Sequence, residues 1–212
     1  GEIYGGAERQ IVDLCSHYIK HELPVTLFLF HRNELASRIE SLGITPVILD
    51  GHKYSFSNAS NLASEIKSRG IDVVHAHGYR AMITCALARK KTEFRVVKTE
   101  HGLPEKSGSS LFKDFRTTLN HKLDLWATNS AADAVCYVTD DILQRYNLIH
   151  KSMNRQVTYN GINPVDPGHY SRPDTFCGGQ RNIVIVGRIS EVKGIRYAIQ
   201  AVSAMPGNTF LH

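Results

Sequence analysis

Short apolar runs rich in Val and Ile alternate along this chain with stretches whose apolar residues recur every three or four positions. The runs at 25–30, 45–49, 73–76, 95–99, 134–138 and 157–159 predict strands. The stretches near 7–21, 33–42, 58–69, 80–90, 110–127 and 140–147 predict helices. Short, apolar strands separated by helices describe an α/β fold, a doubly wound and mostly parallel sheet covered on both faces. Ligands of such sheets gather beyond the carboxyl ends of the strands. The polar residues that interrupt the pattern fall there: His75-Ala76-His77-Gly78, Glu100-His101-Gly102 and Asn160-Gly161.

The periodicity stops after Ile162, and residues 166–181 read as a linker broken by Pro167, Pro173 and glycines. A strand at 183–186, a helix at 194–204 and a strand from Thr209 then open a second unit over 182–212. The first unit, 1–165, begins with Gly5-Gly6 where a doubly wound domain would already have had its first strand. The chain therefore reads as an excerpt lacking that strand and most of the second unit.

Composition narrows the class. The 212 residues are 42% hydrophobic and 21% charged, the balance of a globular protein with a real core. No run approaches a membrane span of about 18 apolar residues. Cys15, Cys85 and Cys136 sit among apolar neighbours and Cys177 stands apart, which suits reduced thiols in a cytoplasmic protein. A net charge of +5 favours anionic partners such as phosphates or an acidic membrane surface. Zinc-finger spacing, stacking aromatics and long Lys/Arg runs are missing, which sets nucleic acid aside.

Candidate chemistry lies in a few places, each with a plainer alternative. Gly5 and Gly6 open an amphipathic helix whose free N–H groups could receive a phosphate, while Glu8 could simply complement the helix dipole. In Val186-Gly187-Arg188 and Lys193-Gly194, a strand-end arginine and a lysine at a helix start suit a bound polyanion. The alternative is a surface Arg188–Glu191 ion pair. His75 and His77 share a strand face and His101 ends the neighbouring strand, but no third ligand with a supporting carboxylate recommends a metal. Phe112, Phe115 and Leu119 form an apolar stripe beside Lys113, Arg116 and Lys122. Such a helix could lie on an anionic membrane. Packing of that stripe on the sheet is the preferred expectation.

Together these motifs resemble the retaining glycosyltransferases of family 4, which have the GT-B fold. The matching pieces are Gly5-Gly6-Ala7-Glu8-Arg9, Asp72 to Gly78, Glu100-His101-Gly102, Ala132-Asp133-Ala134-Val135, Tyr159-Asn160-Gly161-Ile162 and Val186-Gly187-Arg188 with Lys193-Gly194, in family order. The resemblance implies two Rossmann-like domains facing a cleft and a UDP- or GDP-sugar donor, with no required cofactor or metal. Arg188 and Lys193 would contact the donor diphosphate, Gly5 and Gly6 would approach the phosphates, and His101 would sit by the transferred sugar. Glu8, His75, His77 and Gly102 would face a saccharide or lipid-linked acceptor, at the inner face of a membrane if the enzyme associates with one. The family's second donor-binding segment, a pair of glutamates, would lie beyond His212, so this stretch alone is not expected to catalyse transfer. Two other readings stay open: a nucleotide-sugar epimerase using Glu100 or Asp133, and a non-catalytic sugar-nucleotide or phospholipid-binding module.

Overall fold

A computed structural model of the chain describes residues 4–49, 51, 55–103, 111–151, 154–162, 168, 179–187, 189, 191–205 and 207–212. It divides into two units, Gly1–Asn163 and Pro164–His212. The first runs α1 (Gly6–Lys20), β1 (Phe28–Leu29), α2 (Glu34–Glu40), β2 (Val47–Ile48), α3 (Phe56–Arg69), β3 (Val73–His77) and α4 (Tyr79–Ala88). It continues through β4 (Arg95–Glu100), α5 (Leu111–Ala131), β5 (Ala134–Tyr137), α6 (Asp140–Tyr146) and β6 (Asn154–Val157). β3, β4, β5 and β6 form a four-stranded parallel sheet in that order, and β1 pairs in parallel with β2.

Local chemistry sets the helix ends. Asn33, Ser55 and Thr139 each accept a backbone N–H of the turn that follows, from Ala36, Ser57 and Ile142. α3 stops at Gly70, whose φ of +63° suits glycine. The main core gathers Leu62 and Ile66 of α3, Met82, Ile83 and Cys85 of α4, and Val96 of β4. α4 is buried along nearly its whole length, which explains why its sequence is apolar without a strong stripe. Smaller clusters join Cys15, Leu29, Leu35 and Ile39, and Val135, Ile142 and Tyr146. Cys15 and Cys85 are buried free thiols and Cys136 is half-buried; Cys177 lies outside the described residues. Burial pushes the Cys85 thiol up to about 12.

The structure departs from the sequence expectations in four places. β6 lies at Asn154–Val157 rather than 157–159, because an exposed edge strand of Asn, Arg and Gln shows no apolar run. β7 likewise comes earlier, at Arg181–Ile183 instead of 183–186. α5 continues to Ala131, four residues past the predicted 127, carried by Ala127, Thr128 and Ala131 on its buried side. The stripe expected to pack on the sheet faces outward instead: Phe112 is 75% exposed, Phe115 67% and Leu119 46%. The helix buries the opposite side, where Asp124, Ala127, Thr128 and Ala131 lie.

In the second unit, β7 pairs in parallel with β8 (Thr209–Leu211), with a single 3-10 turn at Glu191–Lys193 and α7 (Ile195–Ser203) between them. None of the α7 residues is buried. Among the described residues, no helix is long and apolar enough to cross a membrane.

Candidate functional site

The parallel register brings the histidines together. His75 pairs with Val97 and His77 with Thr99, so β3 and β4 end side by side and His101 follows directly on β4. Side chains two apart on a strand share a face, and the imidazoles of His75 and His77 meet with centroids 4.2 Å apart and planes tilted by 42°. His77 Nδ1 lies 2.9 Å from His101 Nε2, with one ring donating to the other. The Thr99 hydroxyl and His75 Nε2 are 2.7 Å apart. A row of imidazoles, His75 exposed and His77 and His101 half-buried, thus lines the carboxyl end of the sheet.

Burial acts on this row first. It lowers His77 to about 2, with help from His75 and His101, and His75 to about 4, with help from His101. His101 is lowered by burial too, while the negative charge of Glu8 pulls in the opposite direction. The three rings are therefore neutral near pH 7 and can both donate and accept hydrogen bonds. Among the described residues, no group of three or more His, Cys, Asp or Glu is arranged to hold a metal ion.

Glu8 influences His101 because α1 begins beside the same strand ends. Its carboxylate Oε2 accepts the Gly5 N–H at 3.1 Å, closing the first turn. The fold itself does not require glycine at position 6: a Cβ there would meet nothing within 4 Å. A Cβ at Gly102 would likewise meet nothing. Gly78 is different, since its φ of +83° and ψ of 163° belong to glycine.

The two carboxylates weighed for an epimerase lie elsewhere. Glu100 alternates to the far face, where its Oε2 is 2.7 Å from Lys98 Nζ under α5. Asp133 sits at the other end of the sheet, accepting the Val96 N–H at 2.7 Å and pairing with Arg89 at 3.2 Å. Asp133 joins the end of α5 to β4, which accounts for its place in the Ala132-Asp133-Ala134-Val135 motif.

Sequence reading missed Arg80, the second residue of α4. Its guanidinium lies 4.5 Å from the centroid of Phe30 at the end of β1, and its Nε is buried with no hydrogen-bond partner among the described residues. A cation in the first turn of a helix runs against the helix dipole. The same signal drew notice to Lys193 and could have found Arg80.

In the second unit Lys193 closes the 3-10 turn and is exposed, and Gly194 follows as the N-cap of α7 with φ +65°. The Lys193 stem runs along Gly187, its Cγ 3.8 Å from where a Cβ would stand. The turn therefore folds back on itself around Lys193. Arg188 lies outside the described residues.

A family model described as Glycosyltransferase Family 4 matches residues 4–166. Among solved structures, HepE from Anabaena in complex with UDP aligns over 100% of this chain with TM-score 0.78 at 16% identity, the chain covering 58% of it. Sucrose-phosphate synthase from Thermosynechococcus elongatus aligns over 98% with TM-score 0.68 at 14% identity, with 56% of that protein covered. MurG from Acinetobacter baumannii aligns over 98% with TM-score 0.54 at 13% identity, with 62% covered. At such identities the likeness establishes the shared Rossmann-like GT-B architecture, and the chain spans less than two thirds of each of these proteins. A search among curated proteins by sequence gives no match.

Proposed function

The chain belongs to glycosyltransferase family 4, and from that premise we propose that it forms the acceptor-side domain and first donor-side residues of a retaining sugar transferase. The donor is a UDP- or GDP-sugar; HepE, which shares the fold, is crystallised with UDP and with UDP-glucose. The acceptor is a saccharide or a lipid-linked saccharide.

The observation that carries this reading is the His77–His101 pair standing beside the α1 start, where Gly6 leaves open space. A neutral His101, its ring oriented by His77, hydrogen-bonds a hydroxyl of the transferred sugar without bringing a competing charge. Gly5 and Gly6 let the backbone approach the phosphates. Lys193 and Arg188 supply positive charge to the diphosphate. In transfer, the bond from the anomeric carbon to the phosphate oxygen breaks and negative charge builds on the leaving diphosphate. The acceptor hydroxyl bonds to the same face of that carbon and its proton passes to the departing phosphate oxygen. Stabilising that charge with preorganised cations and N–H groups is the main contribution asked of the protein.

The position of Glu100 and Asp133, both away from the histidine row, speaks against an epimerase. A screen of UDP- and GDP-sugars with the complete enzyme tests the proposal, reading nucleoside diphosphate release and the anomeric configuration of the product. Turnover of one donor with retention supports it; an inverted product, or epimerised donor without transfer, overturns it.

A further inference from the structure

Among the described residues, the outward face of α5 leaves its large apolar side chains uncovered. Phe112, Phe115, Leu119 and Trp126 are 75%, 67%, 46% and 46% exposed. At 100° per residue they fall on one stripe, which runs about 21 Å along the axis at 1.5 Å per residue. Exposed apolar residues scattered singly are ordinary, whereas an aligned row of three aromatics and a leucine marks a docking face.

Cations surround the row. Lys122 and Arg116 flank it on opposite sides, both exposed, and exposed Lys90 and Lys91 stand at the adjoining end of α4. Lys90 Nζ is 5.9 Å from the centroid of Trp126. The acids of α5 are turned away: Asp124 is buried against Lys98 and Asp114 is half-buried. Glu93, past the α4 end, is the nearby exposed acid in the sequence.

We propose that this face of α5 docks the protein onto an anionic lipid surface, the helix lying in the plane of the headgroups. Aromatic rings and long-stemmed cations on one helix face suit the boundary between acyl chains and negative headgroups. A protein partner fits less well, because protein interfaces are depleted in lysine and Lys90, Lys91 and Lys122 all border this stripe. Docking by α5 does not depend on sugar transfer and can be tested without it.

Trp126 is the only tryptophan of the chain, so its fluorescence reports on this face directly. The 212-residue chain is titrated with phosphatidylcholine vesicles, with and without phosphatidylglycerol. The expected result is a blue shift of Trp126 emission with the anionic vesicles, quenching by brominated acyl chains, and weakening at high salt. Lys122→Glu should lower partitioning by about fivefold or more, since each basic residue near such a surface contributes comparably. Phe112→Ser with Phe115→Ser should abolish it while far-UV circular dichroism stays unchanged, because both residues are already exposed. Emission unmoved by anionic vesicles overturns the proposal. So does a shift that survives the double substitution, or one that appears without lipid and grows with protein concentration, which would assign the face to a second copy of the chain.

Discussion

His77 Nδ1 and His101 Nε2 meet at 2.9 Å across the ends of β3 and β4, and burial keeps both rings from protonating in the ordinary range. Each ring therefore spends one nitrogen on the other, which aims the His101 ring. His101→Ala in the complete enzyme should lower kcat by about a hundredfold or more, as losing a positioned hydrogen-bonding group does. His77→Phe should cost about tenfold in kcat with KM little changed, since it removes the orienting partner but not the ring. Steady-state kinetics of both variants decides, and a larger loss from His77→Phe than from His101→Ala would reverse the assigned roles.

The neutral imidazoles make stability depend on acidity. His75 and His150 are lowered to about 4 and His77 to about 2, in each case chiefly by burial. Folded values lie below the ordinary 6.5, so between those limits the unfolded chain binds more protons. For His77 and His150 this contribution is intact above pH 6.5 and is lost as pH falls towards their folded values, at up to about 1.4 kcal/mol per pH unit each, while solvent screening makes the share of the exposed His75 smaller. Urea unfolding of the 212-residue chain at pH 7.5, 6 and 5 should show falling midpoints. His77→Gln should reduce the slope, and a profile flat from 7.5 to 5 would show that these rings are solvated.

Glycines 6 and 78 look alike in sequence and should behave oppositely. Gly6 opens a helix with free space where a Cβ would stand. Gly6→Ala should leave the fold as stable or slightly more so, yet the complete enzyme should bind its donor more weakly. Gly78→Ala places a side chain at φ +83° and should cost about 1–3 kcal/mol. Thermal melting and donor titration of the two variants separate the cases. Unchanged donor affinity in Gly6→Ala would refute the close approach of phosphate.

The legible parts of this protein are those where one physical cause dominates. Parallel strands covered by helices, such as β4, are written as apolar runs, and strand ends are where polar residues can appear, so His75, His77 and His101 could be read from spacing alone. β6 escaped because an edge strand of Asn, Arg and Gln owes its place to hydrogen bonding with β5 and not to burial. The orientation of α5 escaped for another reason. Its sequence carries two amphipathic solutions, and the side that packs uses Ala127, Thr128, Ala131 and the charged Asp124 rather than the phenylalanines. Asp124 can be buried there only because Lys98 meets it, a pairing between elements that no local pattern announces.

That pairing gives the last prediction. Lys98 is 0% exposed, and its Nζ lies 2.7 Å from both Glu100 Oε2 and Asp124 Oδ2 and 3.1 Å from Thr128 Oγ1. The ammonium donates to Asp124 and Thr128 and faces Glu100 as an ion pair, so two carboxylates share one cation. Burial raises Glu100, Lys98 opposes the rise, and Asp124 adds to it. A carboxyl whose folded value lies above its unfolded one weakens the fold as pH rises through that interval. Glu100→Gln removes the surplus charge while keeping the shape, and should be neutral or mildly stabilising at pH 7. Lys98→Met leaves two buried carboxylates unpaired and should cost about 3–5 kcal/mol. Adding Glu100→Gln to Lys98→Met should recover part of that loss, since one of the stranded charges is gone. Urea unfolding of the singles and the double at pH 7 measures the coupling; strictly additive effects would mean that the three groups do not share one electrostatic site.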